Sequence, residues 1–144
     1  MSNYTILIVE DENIVALHIK TILKHLHHKI LGPVTSGEAA IETTVKQKPD
    51  LILMDIKLSG ELDGIEAASV IKKTTDIPIV YLTAFSDEKT LQRASLADPF
   101  GYIVKPFDEK ELKTTIEIAM YKFLFEKKIT AERNKIPDFN RKNE

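Results

Sequence analysis

Short apolar runs alternate with longer amphipathic segments along most of the chain. Five runs are rich in aliphatic and β-branched residues, which is typical of strands buried on both faces of a sheet. They occupy residues 4–9, 30–34, 51–54, 79–82 and 102–104. The segments between and after them repeat apolar residues at helical spacing and cover about residues 12–28, 36–48, 65–75, 87–97 and 108–125. The pattern predicts five strands and five helices in alternation.

Helical spacing also predicts which side chains of each helix face the core. For the first helix these are Ile14, Leu17, Ile19, Ile22, Leu23 and Leu26. For the last helix they are Leu112, Ile116, Ala119, Met120, Phe123 and Leu124. Beyond this set the apolar pattern weakens. We therefore expect one domain over residues 1–126, with residues 127–144 forming a helix extension and charged tail, or the stump of a linker.

The strict order of strand then helix indicates the architecture. Parallel strands need long crossovers, and right-handed crossovers place helices on both faces of the sheet. An α/β fold with a parallel sheet between two helical layers is therefore predicted. The second strand contains Gly32-Pro33, and because proline has no N–H to donate, this strand is expected near a sheet edge.

Composition narrows the function classes. A formal net charge of -2 gives the chain no general attraction to nucleic acid or to anionic membranes. The sequence has no cysteine, which excludes disulfides, thiolate metal sites and cysteine nucleophiles. It also has no apolar run approaching the roughly 18 residues of a membrane-spanning helix, and its amino terminus does not resemble a signal peptide. A cytoplasmic location is the default expectation.

Polar side chains stand where the predicted strands end. Glu10 and Asp11 follow the first strand, Asp55 the third, Thr83 the fourth and Lys105 the fifth. An aspartate after a strand is most often a turn or capping residue. In a parallel sheet, however, these strand ends share one edge, where open α/β folds bind their ligands. We therefore expect these five side chains to converge there.

The expected convergence of these five side chains indicates which chemistry the site could support. Three carboxylates in a poorly solvated cleft repel one another, and a hard divalent cation relieves that repulsion. An oxygen-only site with open positions suits Mg²⁺. Lys105 adds a cation that can hold an anion, and Thr83 adds a hydroxyl donor. A nucleophilic carboxylate with a metal, a lysine and a hydroxyl provides the parts for phosphoryl transfer to an aspartate.

Five short motifs lie in order on these predicted elements. They are Glu10-Asp11, Asp55, Asp63-Gly64, Thr83-Ala84, and Tyr102 ahead of Lys105-Pro106. With these motifs, residues 4–125 resemble a response-regulator receiver domain of two-component signalling. The resemblance implies a flavodoxin-like fold, a doubly wound three-layer sandwich with five helices and the strand order 2-1-3-4-5.

The resemblance also assigns the acceptor and the metal ligands. Asp55 is the expected phosphoacceptor. Asp11, Asp55 and the backbone carbonyl of Lys57 are the expected ligands of Mg²⁺. Glu10 is expected to act mainly through a metal-bound water.

The remaining assignments concern the phosphorylated state. Lys105 is expected to pair with the phosphoryl group, and Thr83 to hydrogen-bond it and move inward. Tyr102 would then rotate into the vacated space and change the surface of the fourth helix, fifth strand and fifth helix. The alternative for Tyr102 is an aromatic residue packed in place. A phosphoryl group adds roughly 1.5 to 2 negative charges, which gives this change its driving force.

The loop after Asp55 departs from the family pattern. Ser59 stands where the family commonly has a proline, and the loop is about one residue longer than usual, so the motif does not predict a rigid loop. Lys57 and Phe85 occupy positions at which the family tunes dephosphorylation. We expect the bulky Phe85 to hinder the attacking water and prolong the life of the phosphoryl group.

Three functions compete for such a site. The favoured hypothesis is a signalling switch, not an enzyme, that receives its phosphoryl group from a histidine kinase or phosphotransfer protein. An aspartate-nucleophile phosphatase usually has a second aspartate where this chain has Lys57. Flavin or dinucleotide binding needs a phosphate loop, and Glu10-Asp11-Glu12 would repel a phosphate.

The output of the switch is less defined. A downstream protein, or a second copy forming a homodimer, is expected at the surface of the fourth helix, fifth strand and fifth helix. The alternative is a receiver module at the front of a longer hybrid sensor kinase or regulator. Neither a membrane nor nucleic acid is expected as a partner of this chain.

Overall fold

The computed structural model describes residues 3–84, 88–96 and 99–135. Within these residues, strands and helices alternate as the apolar pattern predicts. The strands are β1 (Thr5–Val9), β2 (Lys29–Val34), β3 (Leu51–Asp55), β4 (Ile79–Thr83) and β5 (Gly101–Val104). The helices are α1 (Asn13–His25), α2 (Gly37–Gln47), α3 (Gly64–Thr74), α4 (Glu88–Leu96) and α5 (Glu109–Lys135).

All five strands form one parallel sheet in the order β2-β1-β3-β4-β5. This order confirms the flavodoxin-like α/β fold. β2 lies at an edge, and its register with β1 shifts by one residue around Gly32-Pro33. The shift follows from the missing N–H of proline, which interrupts the ladder of hydrogen bonds.

The sheet separates two apolar cores. Alternate residues of each inner strand point to opposite faces. Ile8, Leu53 and Leu82 belong to the core under α1 and α5. Met54 and Tyr81 belong to the core under α2, α3 and α4. Every residue of β3 and β4 is buried, so these central strands are fully enclosed and their carboxyl ends are fixed in position.

Several apolar residues of the helices do not face the core as their spacing predicts. Ile14 is 85% exposed, Leu17 is 64% exposed and Leu124 is 51% exposed. α1 buries only a narrow stripe that includes Ala16 and Ile19. At about 100° per residue, Ile14 and Leu17 lie on the opposite side of the helix. The apolar surface of α1 is thus wider than the surface it packs against.

The last helix continues past the core. α5 runs to Lys135, and its buried residues end at Met120. Beyond that point, Lys127 reaches back to the body of the domain. Its Nζ atom lies 3.7 Å from the Asp76 carboxylate and 4.9 Å from the ring centroid of Phe123. Among the helices that the structure describes, none is both long and apolar enough to span a lipid bilayer.

Buried and exposed leucines should contribute very differently to the free energy of unfolding, and mutation tests this. Leu53→Ala removes a fully buried side chain between two layers, and we expect it to lower the free energy of unfolding by about 2–5 kcal/mol. Leu17→Ala is the matched control, and we expect a loss below about 0.5 kcal/mol. Urea denaturation followed by circular dichroism measures both. Equal losses in the two variants would contradict the packing of α1 described above.

Candidate functional site

The strand ends at the carboxyl edge of the sheet enclose a cavity of about 220 Å³. Asp55 and Thr83 are the last residues of β3 and β4, and Lys105 directly follows β5. The residues lining the cavity are Asp11, Glu12, Asp55, Ile56, Lys57, Thr83, Ala84, Thr90 and Lys105. Glu10 lies just beneath them, with 1% of its surface exposed. The polar residues that the sequence singled out at the strand ends are therefore brought together.

Three carboxylates form a cluster at the floor of this cavity. Glu10, Asp11 and Asp55 each offer one oxygen, and these oxygens all lie within 4.8 Å of one another. Asp55 is only 4% exposed, so its charge is poorly solvated. An all-oxygen group of this kind is suited to a hard divalent cation.

Lys105 supplies the cation of the site. Its Nζ atom lies 2.5 Å from Glu10 Oε1 and 3.1 Å from Asp55 Oδ2, with Glu12 Oε1 farther away at 3.9 Å. Burial lowers the pKa of the Lys105 ammonium, but the hydrogen bonds and charges of Glu10 and Asp55 outweigh burial, so the net shift is upward. Lys105 therefore stays charged while it is shared between two buried carboxylates.

The pKa of the Glu10 carboxyl is also raised, and for a carboxyl group this favours the neutral form. Burial is the largest cause, and together with a hydrogen bond to Asp55 it raises the pKa of the Glu10 carboxyl to about 7. The hydrogen bond from Lys105 only partly offsets this rise. One lysine thus compensates the buried negative charge incompletely.

The backbone around Asp55 is fixed by the amino-terminal end of α3. The Gly64 N–H donates to the Ile56 carbonyl at 2.7 Å, and the Ile56 N–H donates to the Leu82 carbonyl at 3.1 Å. A Cβ atom at Gly64 would overlap the carbonyl oxygen of Asp55. Only glycine allows this close approach, which explains the Asp63-Gly64 motif in physical terms.

The N-cap residue of α3, Asp63, helps to hold the start of the helix against the Asp55 backbone. Asp63 Oδ1 accepts from the Glu66 N–H at 2.8 Å, and Glu66 Oε1 accepts from the Asp63 N–H at 3.0 Å, which forms a capping box. The other Asp63 oxygen accepts from Arg93 of α4 at 2.9 Å. The start of α3 is therefore tied both to the acceptor strand and to α4.

The loop after Asp55 is tied to α2 instead of being stiffened by a proline. Ser59 Oγ donates to the Thr35 carbonyl at 3.1 Å, and the Leu62 N–H donates to Glu38 Oε1 at 3.0 Å. Gly60 adopts a φ of +99°, beside the same Glu38 carboxylate. Sequence reasoning missed Glu38. The only signal it offers is an acidic residue in the first turn of a helix, which usually indicates a favourable interaction with the helix dipole.

The predicted switch residues occupy two different environments. Thr83 is buried, whereas Tyr102 is 37% exposed and its hydroxyl lies 3.0 Å from Ser95 Oγ on α4. The Tyr102 ring is tilted against Tyr81, with 6.4 Å between centroids. Tyr102 therefore bridges β5 and α4 on the surface, and its switch role stays a prediction. Phe85, the predicted tuning residue, lies outside the described residues.

Known proteins resemble this chain over the same region. The family model for the response regulator receiver domain matches residues 6–117. The transcriptional regulatory protein PdtaR of Mycobacterium tuberculosis is 39% identical over 118 residues, which are 82% of this chain and 57% of PdtaR. The sensory transduction protein LytT of Bacillus anthracis is 37% identical over 78% of this chain and 45% of LytT. The chain spans about half the length of the curated relatives it matches.

Solved structures share the architecture. The signal receiver domain of a modulated diguanylate cyclase from Desulfovibrio desulfuricans superposes with a TM-score of 0.82 at 36% identity, over 87% of this chain and 99% of that one. The signal receiver domain of a signal transduction histidine kinase from Syntrophus aciditrophicus gives 0.75 at 28% identity, over 83% and 91%.

A parallel α/β sheet with an acidic cluster and a lysine at its carboxyl edge defines the class of protein, a receiver-type domain. The family match over most of the chain makes the assignment specific. The chain belongs to the response regulator receiver domain family of two-component signalling.

The raised pKa of Glu10 predicts a pH dependence of stability in metal-free buffer. Because the folded protein holds a proton on Glu10 up to about pH 7, whereas the unfolded chain releases it near the ordinary value of 4.5, the unfolding free energy falls as the pH rises through this interval. Glu10→Gln removes this dependence, since glutamine does not titrate. Urea denaturation at several pH values in chelator measures the difference between the two proteins. A difference that stays constant from pH 4.5 to 7 would contradict the shift.

Proposed function

We propose that this chain is a phosphoaccepting switch in which Asp55 receives a phosphoryl group from a histidine kinase or a phosphotransfer protein. The observation that carries the proposal is the convergence of Lys105 and of the carboxylates of Glu10 and Asp11 on the carboxylate of Asp55. This arrangement supplies a nucleophile, a cation for the transferred group and a site for a metal in one cavity.

The chemistry follows from the positions of these groups. An oxygen of Asp55 attacks the phosphorus of the donor phosphohistidine, and the P–N bond breaks with its electron pair leaving on the imidazole. Lys105, whose Nζ atom lies 3.1 Å from Asp55 Oδ2, would pair with a phosphoryl oxygen. Thr83, the buried last residue of the neighbouring strand, would donate its hydroxyl to another.

Mg²⁺ is the proposed cofactor, and the donor set fits it. Asp11, Asp55 and the Lys57 carbonyl would hold the ion, with Glu10 acting through water. The geometry supports this, because the two buried carboxylates of Glu10 and Asp55 share the single ammonium of Lys105, so a further cation would be favoured. When bound, the ion neutralises charge that develops on the phosphoryl oxygens during transfer.

The proposed output is a change of surface. Phosphorylation would draw Thr83 inward and free space for Tyr102, whose hydroxyl would then leave Ser95 on α4. The surface of α4, β5 and α5 would change, and a downstream protein or a second copy would recognise it in the cytoplasm. On this proposal the chain is a signalling switch, and its only chemistry is slow gain and loss of its own phosphoryl group.

Phosphorylation by a small donor tests the proposal directly. Incubation with acetyl phosphate and Mg²⁺ is expected to add one phosphoryl group, measured by intact-protein mass spectrometry. Asp55→Asn should remove the adduct, because an amide is a poor nucleophile. Asp76→Asn, an exposed aspartate away from the site, is the control and should leave it unchanged. Absence of an adduct on the wild-type chain would overturn the proposal.

The hydrogen bond between Glu38 and the Leu62 N–H predicts a second effect, on the Mg²⁺ concentration that phosphorylation requires. Glu38→Ala removes the acceptor of the Leu62 N–H and loosens the loop that carries the Lys57 carbonyl. We expect the Mg²⁺ concentration for half-maximal labelling by acetyl phosphate to rise about two- to tenfold, the worth of one hydrogen bond.

Two variants separate positioning from charge or general stability. Glu38→Gln keeps an oxygen that accepts the same N–H and should behave like wild type. Glu42→Ala, one turn along α2 and paired only with the exposed Lys46, should also have no effect. If Glu38→Gln and Glu38→Ala raise the Mg²⁺ requirement equally, the hydrogen bond is not the cause.

A further inference from the structure

Three consecutive residues of α4 contact the rest of the domain in three different ways. Ala94 is fully buried in the apolar core under α2, α3 and α4. Arg93 donates to Asp63 Oδ2 at 2.9 Å, and the Ser95 hydroxyl lies 3.0 Å from the Tyr102 hydroxyl. This turn of α4 is therefore joined to α3 by an ion pair and to β5 by a hydrogen bond.

The ion pair between Arg93 and Asp63 reaches the segment that holds the acceptor strand. Asp63 is the N-cap of α3, and the next residue, Gly64, lies against the backbone of Asp55. The Arg93 and Asp63 side chains are 50% and 28% exposed. Ion pairs that water reaches are weak and open at low cost. This contact can therefore be exchanged for another when α4 moves.

A buried hydroxyl lies near this ion pair. Tyr81 of β4 is 0% exposed, yet its hydroxyl has no hydrogen-bond partner among the residues that the structure describes. Burial raises the pKa of the Tyr81 hydroxyl, and the charge of Asp63 is the next largest cause. Tyr81 is therefore a protonated donor that lacks an acceptor, and Asp63 is close enough to act on it electrostatically.

The neighbours of Tyr81 are the residues that the proposed switch moves. Tyr81 lies two residues before Thr83 on β4, so both side chains point to the same face of the sheet. Tyr102 is its partner in the register of β4 with β5, with 6.4 Å between the ring centroids. Movement of Thr83 and Tyr102 would therefore change the surroundings of the Tyr81 hydroxyl and break the contact of Tyr102 with Ser95 on α4.

We propose that Arg93 and the Tyr81 hydroxyl are alternative partners of the Asp63 carboxylate. In the unphosphorylated conformation Arg93 binds Asp63, and the Tyr81 hydroxyl is unpaired. In the phosphorylated conformation α4 moves, Arg93 leaves, and Tyr81 donates to the Oδ2 atom of Asp63. Pairing of a buried donor then stabilises the phosphorylated conformation.

This inference rests on the proposed function and adds two residues to it. Neither Tyr81 nor Arg93 lines the cavity around Asp55. Both act as positioning residues that set the balance between two conformations. Their variants should therefore change how readily the active conformation forms, while the phosphoacceptor and the proposed metal ligands stay intact.

Beryllofluoride with Mg²⁺ is the probe, because it binds an aspartate carboxylate as a stable analogue of the phosphoryl group. A ligand that prefers one conformation binds more tightly when that conformation is more populated. Its dissociation constant, measured by isothermal titration calorimetry at saturating Mg²⁺, therefore reports the balance between the two conformations.

Tyr81→Phe should stabilise the fold and weaken beryllofluoride binding. Removing an unpaired buried hydroxyl should raise the folding equilibrium constant about fivefold in urea denaturation, because phenylalanine keeps the ring. The phosphorylated conformation loses a hydrogen bond as well, so the dissociation constant for beryllofluoride should rise about tenfold. Tyr121→Phe, on α5 and 71% exposed, is the control and should change neither quantity. A more stable Tyr81→Phe with an unchanged dissociation constant would overturn the proposal.

Arg93→Met should have the opposite effect on binding. It removes the guanidinium but keeps much of the length of the side chain, so the unphosphorylated conformation loses its ion pair. The dissociation constant for beryllofluoride should fall about two- to fivefold. Arg93→Lys, which still donates to Asp63, should stay near wild type, and so should Arg133→Met, at an exposed position of α5. An unchanged or higher dissociation constant in Arg93→Met would contradict the exchange of partners.

Proton NMR tests the new hydrogen bond itself. The hydroxyl proton of Tyr81 is identified as the resonance that Tyr81→Phe lacks. Addition of beryllofluoride should move it downfield, because a carboxylate acceptor deshields the proton. A resonance that stays at the position found in the free protein would overturn the proposal.

The wild-type titration separates this inference from the proposed function. The wild-type protein should bind beryllofluoride, and Asp55→Asn should not. Absence of binding to the wild type would overturn the proposed function itself. Normal binding to the wild type, with unchanged dissociation constants in Tyr81→Phe and Arg93→Met, would overturn this inference alone.

Discussion

The structure depends on how one buried carboxylate is paired with a cation. Asp55 is 4% exposed, and the cation that compensates it, Lys105, is shared with Glu10. Removing ions from water costs several kcal/mol each unless partners compensate them. Two carboxylates and one ammonium leave the site short of positive charge, and burial of Glu10 is the main reason that its pKa rises to about 7. The same shortage of positive charge favours both the cation binding and the phosphoryl acceptance that we propose for this site.

The Asp55 carboxylate can serve as a phosphoacceptor only if the backbone that carries it is held in position. Two central strands with every residue buried fix the position of Asp55, and the close contact at Gly64 locks the peptide from the other side. The remaining freedom lies in the loop from Lys57 to Leu62, where hydrogen bonds to Thr35 and Glu38 take the place of a proline. Rigidity thus comes from α2 and the segment just before it, which contribute no group to the cavity.

The fold and the strand-end residues were predictable because they follow from local patterns and one topological rule. Periodicity identifies strands and helices, and parallel strands bring their carboxyl ends to one edge. The contact of Glu38 with Leu62 was not predictable, since it joins residues 24 positions apart through a loop conformation that no motif specifies. The exposure of Ile14 and Leu17 was not predictable either. Helical spacing shows that residues share a face, but not how wide a face the neighbouring layer covers.

The length of α5 has a mechanical consequence. The helix begins four residues after Lys105, beside the charged cavity, and runs without interruption for 27 residues, of which those after Met120 are no longer buried. The 15 residues from Tyr121 to Lys135 form a rod of about 22 Å that is anchored at the buried part of the helix and can act as a lever. A tilt of about 9° at Met120 displaces the tip by roughly 3 Å, about the rise of one residue along a strand. A small rearrangement around one side chain would thus become a displacement large enough for another molecule to read.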